Sequence, residues 1–422
     1  MKFGVAKDII SPDVRTGMSG YGSRYGEFFK DIHDDLYVRC LYTENGDDQL
    51  LMVVYDLTFH DFSLTTAIRE YIDEKYGLSA DQLILSYTHT HAAPAIEGFS
   101  PGEQNPQYEA MLLERTKSCI DRCMLNIYEG SVSFCQVKGD WNINRRKLID
   151  GKLVGGPYPE GLSDKTMNLL KFSDNDGVIR ALLFNYGCHP VALGGANYSI
   201  STEYPGRVCE ILQGKYYGCT PLFFQGAGAH ERPKIAYNNG KWISCSFEEV
   251  NEMAYQMASR IDTAIANGKF TPIDFSPKGK AFEVNVPIIP FTKEFLNEKI
   301  RTSRGFMENT FKTILKEYDD SPDYLPLRGG VVKVSEDVYI AWLTGEIVVE
   351  VKDLIHKAIG EDKKLIFIGY ADSIAYIPNS TIIEQGGYEG GEAMYAFARK
   401  GAFIPEIDQI LFDSFKQATE QI

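Results

Sequence analysis

Short runs of β-branched and aromatic residues recur along the chain, each closed by glycine, proline or polar positions. Such runs predict strands at Asp35–Tyr42, Leu50–Tyr55, Gln82–Ser86 and Ser131–Val137. Others predict strands at Ile179–Asn185, Thr220–Phe224, Val338–Leu343 and Lys364–Ile368. Between them the apolar spacing shifts to the helical period, over Phe62–Tyr76, Tyr108–Tyr128, Phe247–Asn267 and Thr292–Tyr318. The same period returns at Ile347–Ile359, Gly391–Ala398 and Glu406–Ile422. Gly-rich loops punctuate at Gly17–Gly26 and Gly151–Gly161, and Lys278–Pro290 is the one stretch resembling a boundary. With no low-complexity linker and no internal repeat, residues 1–422 read as one large α/β domain. In it, mixed β-sheets pack together, flanked by helices, and strand ends meet polar loops.

Composition narrows the partners more than the fold. Apolar residues make up 44% and charged residues 24% of the 422, ordinary for a soluble globular protein. A net charge of −15 disfavours nucleic acid and anionic membrane surfaces. The N-terminal "MKFGVAKDIISPD" has no apolar stretch or cleavage signature, and no window of 18 apolar residues exists. A cytoplasmic protein without a transmembrane segment is therefore expected. The eight cysteines are scattered; Cys119 and Cys123 lie i,i+4 on a predicted helix, with no second pair to complete a zinc ribbon, so reduced thiols are expected. An oligomer is compatible with the pattern but not readable from it.

Four stretches share one design, an apolar run followed by a metal-type residue among small ones. In "LILSYTHTHAAP", His89 and His91 face one side if the strand continues through them, because strand side chains alternate with period two. Imidazoles so placed can converge on one ion or flank one reacting carbonyl. "LLFNYGCHPVAL" puts His189 at a second strand end, and "LFFQGAGAHERP" puts His230 past a Gly/Ala turn. "VYIAWLTGEIVVE" puts Glu346 at a strand-to-helix junction. Each has an ordinary explanation. A lone histidine is usually a hydrogen-bonded core residue, His230 can cap a turn, and Glu346 can answer a helix dipole. Three strand-end histidines and a strand-end glutamate together favour a metal site.

The residues also resemble the catalytic domain of the neutral/alkaline (non-lysosomal) ceramidase family, zinc amidases that cleave the N-acyl bond of ceramide. The resemblance runs in order through "GVAKDIISP", "GMSGY", "IHDDLYVRC", "VVYDL", "THTHAAP", "NINRR", "NYGCHP" and "ISTEYPG". It continues in "FFQGAGAHERP", "LTGE" and "AYIPNSTIIEQGGYEG". Singly most are weak, but the ordered set is specific. Carried over, it implies Zn²⁺ held by His89, His189, Glu346 and Tyr376, a nitrogen/oxygen set suited to that ion. Such an ion lowers the pKa of water and polarises the scissile carbonyl. The resemblance further implies His91 as base or oxyanion donor, Tyr388 as a second donor, and Arg145, rather than Arg146, as the active-site arginine. His33 and the Gly20-Tyr21 loop would line the pocket, with Arg146, His230 and Arg232 as further substrate contacts.

The departures shape the expected substrate. Secreted ceramidases carry an export signal and a C-terminal immunoglobulin-like domain, and neither is recognised here. Where the family expects a Gly-Asp-Val type stretch after "FFQGAGA", this chain has His230-Glu231-Arg232, and the family's aspartate before the aromatic-Pro-Gly is Glu203. We therefore expect a zinc-dependent hydrolase of a soluble N-acyl compound, with Arg145 and Arg232 suited to an N-acyl amino acid or amino sugar. A zinc esterase or lactonase on the same site is the second expectation, and a non-catalytic ceramidase-like binding protein the third.

Overall fold

The computed structural model describes residues 1–59, 62–96, 102–371 and 375–422. Eight strands run in one row of the larger sheet: β1 (Lys2–Ile9), β2 (Tyr37–Asn45), β3 (Asp48–Tyr55), β4 (Leu83–Tyr87), β5 (Ile127–Lys138), β6 (Thr166–Asp174), β7 (Ile179–Tyr186) and β8 (Thr220–Gln225). Their order is β8-β7-β6-β5-β1-β2-β3-β4, and a short strand, Thr271–Ile273, adds to β5. Most neighbours are antiparallel, but the outer pairs β3–β4 and β7–β8 are parallel. Each of these is joined by a crossover that includes a helix, α1 (Phe62–Tyr76) in the first case. After α2 (Pro106–Leu125), the second crossover uses α3 (Glu203–Lys215), and α4 (Phe247–Ala266) packs beside it.

The smaller sheet begins at β9 (Lys278–Pro290), followed by β10 (Tyr324–Lys333), β11 (Val338–Leu343) and β12 (Lys364–Ile368). Between β9 and β10 stand two short helices, α5 (Lys293–Thr302) and α6 (Phe306–Lys316). The sheet order is β12-β11-β10-β9 with Gly401–Phe403 at the far side, and β11–β12 is again a parallel pair, crossed by α7 (Val349–Ile359). The chain closes with α8 (Ile407–Glu420).

Side-chain alternation assigns each strand face to its layer. In β3, Leu51, Val53 and Tyr55 enter the core beneath the helices of the larger sheet. Leu50, Met52 and Val54 point the other way, into a core shared with Val338, Ile340 and Trp342 of the smaller sheet. The near-continuous apolar runs read from sequence follow from this, because strands covered on both faces have no polar side. A third core packs the smaller sheet against α7 and α8. Two polar bridges cross between sheets: Asn185 Nδ2 donates to Phe224 O (2.9 Å) and Phe367 O (2.8 Å), and Ser86 Oγ donates to Gly369 O (3.0 Å).

The predicted elements differ from the observed ones where local chemistry intervenes. The helix expected over Thr292–Tyr318 is two helices, because Gly305 takes a left-handed φ of 59° between α5 and α6. Lys278–Pro290, expected as a boundary, is the longest strand and opens the second sheet. The helix expected from Tyr108 gives way to β5 at Ile127, and Gly391–Ala398 is a π-turn over Tyr388–Glu392 followed by one short helix. Helix α3 was not predicted; its Pro205 and Gly206 fall in the first turn, where the missing N–H of proline costs nothing. All eight cysteines are free and buried. Among the described residues no helix is long and apolar enough to cross a membrane.

A buried ion pair ties β2 to the segment that leaves β3. Arg39 Nη1 donates to Asp56 Oδ2 at 2.6 Å, and the Tyr37 N–H donates to the same oxygen at 3.0 Å, with both side chains almost fully enclosed. Asp56 opens the segment whose Leu57 and Thr58 carbonyls accept hydrogen bonds from His89. Replacing Asp56 by alanine leaves a buried guanidinium uncompensated. Asp56→Ala is expected to lose about 3–5 kcal/mol of folding stability, read from urea denaturation, and a loss under 1 kcal/mol would contradict this account.

Candidate active site

Loops that follow the carboxyl ends of β4, β7, β11 and β12 meet at one edge of the paired sheets, where α/β proteins place their ligands. β4 ends at Tyr87, and His89 takes a left-handed φ of 66°, so the strand does not continue through the motif. Period-two alternation therefore does not bring the two histidines together; the turn does. His91 Nε2 lies 3.0 Å from His89 Nε2. His189, three residues past β7, brings its Nε2 to 3.2 Å from the same atom.

Glu346 also differs from its expected setting. It lies in a two-residue parallel pair with Tyr376, after a turn at Gly345 (φ 94°), and α7 begins only at Val349. A helix dipole does not account for it. Its Oε2 sits 3.0 Å from His189 Nε2 and 3.4 Å from His89 Nε2. Tyr376 Oη completes the group, 3.3 Å from His189 Nε2.

Proton positions decide what these atoms can do. His89 Nδ1 meets the Thr58 carbonyl at 2.9 Å, and His189 Nδ1 meets the Gly228 carbonyl at 2.6 Å. A carbonyl only accepts, so each Nδ1 carries the proton and, in the neutral ring, each Nε2 carries the lone pair. Burial lowers His189 to about 4, which keeps that ring neutral. Burial pushes the Glu346 carboxyl up and positive charge at the facing histidines pulls it well below the usual range, the same direction in which a cation held between neutral rings would act. With both rings neutral, two lone-pair nitrogens and a carboxylate oxygen converge on one point, and Glu346 Oε2 has no hydrogen-bond partner among the described residues. A cation resolves such a cluster. Tetrahedral coordination with bonds near 2 Å puts ligand atoms roughly 3.3 Å apart, in line with the observed 3.0–3.4 Å.

His91 is held differently. The buried triad His89, His91 and His189 could hold a metal ion, yet His91 Nδ1 has no hydrogen-bond partner among the described residues. Its ring is wedged by Gly20, where a Cβ would come within 2.7 Å of Nδ1, and by the edge of Tyr21. Burial, then the neighbouring His89 and His189, lower its pKa well below the ordinary value.

The other expected residues divide into two groups. Gly20, Tyr21, His91, Glu346, Tyr376 and Tyr388 line one cavity. Arg145 stands behind Tyr376, donating Nη2–H to its oxygen at 3.0 Å and Nε–H to Glu389 at 2.7 Å. Arg146, His230, Arg232 and His33 are not among the lining residues. Arg146 turns to Glu389 (2.8 Å) and the Gly386 carbonyl, and Arg232 lies over the Trp242 ring. His230 is enclosed, its Nε2 3.4 Å from Glu231 and its Nδ1 3.7 Å from Glu350, and its carbonyl accepts from the Arg145 N–H. His33 is exposed and stacked on Phe247.

Three structural residues escaped the sequence reading. Arg24 is fully buried and donates to four carbonyls, those of Ser19, His91, Gly194 and Asn197, tying the Gly20 loop to the histidine turn. Glu389 joins the two arginines. Phe59 packs edge-on to His89. A buried arginine in a Gly-rich loop was the available signal for the first; nothing local marks the others.

Residues 2–215 match the family model for neutral/alkaline non-lysosomal ceramidase, N-terminal, over just more than half of the chain. The chain belongs to the neutral/alkaline non-lysosomal ceramidase family. The matched span holds His89, His91, Arg145 and His189; Glu346, Tyr376 and Tyr388 lie beyond it. Two solved structures share the fold, neutral ceramidase from Pseudomonas aeruginosa and a ceramidase complexed with C2. Each gives a TM-score of 0.78 at 16% identity, covering 99% of this chain and 74% of that one. The ceramidase family and fold indicate an amide hydrolase, and the buried histidines could hold its metal ion.

Glu203 supports the loop that follows His189. It is buried at a left-handed φ of 55°, and its Oε1 accepts the Leu193 N–H at 2.8 Å while Oε2 has no partner among the described residues. Burial raises its pKa to about 7. The native state therefore keeps this proton up to about pH 7, whereas the unfolded chain releases it near the ordinary glutamate value. Stability from this group is full at low pH and falls as pH rises through that window. Glu203→Gln removes the titration, so relative to the native protein the variant should gain on the order of 3 kcal/mol between pH 4.5 and 7.5. Urea midpoints at the two pH values test this; a constant difference between the proteins would reject it.

Proposed function

We propose that this ceramidase-family protein is a zinc-dependent hydrolase that cleaves the C–N bond of soluble N-acyl compounds. The observation that carries the reading is the proton accounting at His89 and His189. Metal-ligating histidines nearly always donate their second N–H to a carbonyl or carboxylate, and both rings do so. Glu346 and Tyr376 supply the oxygens. When bound, zinc provides the Lewis acidity that makes water a nucleophile near neutral pH and polarises the scissile carbonyl.

The remaining work falls to side chains of this protein. His91 has no carbonyl anchor at Nδ1 and faces the cavity, which suits a group that takes and returns a proton. Tyr388 is partly exposed at the cavity mouth, yet desolvation and the nearby Glu346 raise its phenol, so it stays protonated and can donate to the developing oxyanion. Arg145 orients Tyr376 and favours its oxygen as an acceptor. Phe59 and Phe397 keep water from the far wall. Because the groups come from both sheets, we read the chain as one catalytic unit. The net charge of −15 fits a soluble substrate better than an anionic membrane surface.

Metal analysis and a substrate panel test the reading. Protein purified without chelators should carry about one zinc per chain; absence of any stoichiometric transition metal would end the proposal. His89→Ala should lose both metal and turnover. His91→Ala should keep the metal and lose roughly 10²–10⁴-fold in turnover. Equal metal loss in the two variants would assign His91 to the ligands instead. Turnover of oxygen esters alone would favour the esterase or lactonase, and bound metal without turnover the binding protein.

A further inference from the structure

The cavity beside the candidate metal group has two unlike sides. His91, Glu346, Tyr376 and Tyr388 form the polar side, and Phe59, Phe306, Ala396 and Phe397 form the apolar one. Phe59 and Phe397 meet edge-to-face at 5.5 Å, and Phe397 also abuts Tyr376. The cavity offers about 100 Å³ and is partly open to solvent.

Phe306 reaches the cavity from outside the two sheets. It is the first residue of α6, placed by the left-handed turn at Gly305. The α5–α6 hairpin has its own small core of Leu296, Phe311 and Ile314, and leans on the loop that wedges His91. Asn309 donates to Tyr25, and Gly22 lies so close that a Cβ there would touch the Phe306 ring at 3.4 Å. The ring is thus a stop set across the apolar side.

We infer that Phe306, with Phe59, Ala396 and Phe397, restricts this enzyme to short acyl groups. The inference rests on the amide-hydrolase reading above and specifies its substrate. A reacting carbonyl must face the polar side, so the group on its apolar flank enters the aromatic wall. In a soluble N-acyl compound the apolar flank is the acyl chain. A closed dry cavity of about 150 Å³ takes benzene, so the roughly 100 Å³ here seats an acyl group of about two to four carbons before the chain meets the Phe306 ring. A long chain would have to displace Phe306. The amine portion then leaves through the open side, where its size is unconstrained.

The test uses acetyl, butyryl and octanoyl amides of one amine, together with binding of acetate, butyrate and octanoate by calorimetry. The native protein should favour acetyl or butyryl over octanoyl by at least ~10-fold in kcat/KM, since small changes of fit in an apolar pocket are worth that much. Phe306→Ala should raise the octanoyl-to-acetyl ratio at least ~10-fold, and Ala396→Phe should lower turnover of the butyryl amide relative to the acetyl one. Phe306→Leu, a milder opening, should shift the ratio in the same direction and stands in if the alanine variant does not fold. A native preference for octanoyl, a flat profile, or an unchanged ratio in the Phe306 variants would overturn the inference. If no amide is turned over, the hydrolase reading fails by itself. The acid series still decides this one: butyrate bound and octanoate excluded supports it, whereas no binding or no discrimination sinks it.

Discussion

The convergence of acceptor atoms at His89, His189 and Glu346 is the constraint around which the rest of the structure is arranged. Left alone, a carboxylate and two imidazole lone pairs would separate or take up protons, because unpaired polar atoms in a buried setting are costly. They are kept together by backbone carbonyls that fix each ring from behind, Thr58 for His89 and Gly228 for His189. Those carbonyls belong to loops, and loops hold position only if their ends do. The ends here are strands of two sheets packed face to face. Asn185 and Ser86 stitch those sheets together directly beneath the site.

Polar supports of the same kind recur one layer out. The Arg39–Asp56 pair starts the segment that presents Thr58, and Arg24 gathers four carbonyls from three loops, including that of His91. A guanidinium has five donors in a rigid fork, so a single arginine can fix several chain segments at once. Lysine at position 24 could not reproduce that geometry. The site is thus specified by buried charges that do no chemistry themselves, and their desolvation is offset by dense hydrogen bonding.

What could be read from sequence follows the same division. The strands were legible because β3, β4, β7 and β11 are covered on both faces and appear as unbroken apolar runs; the residues after them announced themselves as histidine and glutamate. The histidine pair stood out for a geometric reason that does not apply, since His89 lies in a left-handed turn. Period alone cannot reveal where a strand stops when the next residues are threonine and histidine. Tyr376 and Tyr388 were legible only through family resemblance, being two of 25 tyrosines. Arg24, Glu389 and Phe306 stayed hidden because their roles depend on partners far away in the chain, Arg24 on His91 and Asn197, Glu389 on Arg145 and Arg146, and Phe306 on Gly22.

The two halves of the cavity therefore have different structural origins. The polar side is built on strand ends inside the shared core of both sheets, where any shift of one loop disturbs several carbonyl contacts at once. The apolar side depends on Phe306 at the tip of a two-helix hairpin with a small core of its own, joined to the remainder through the Gly22–Tyr25 loop and through Tyr395. A change in α5 or α6 can reshape the wall without moving His89, His189 or Glu346. Phe59 against His89 and Phe397 against Tyr376 tie the inner part of the wall to the reactive centre, so the hairpin, through Phe306, is the part of the wall that can vary with least effect on the chemistry.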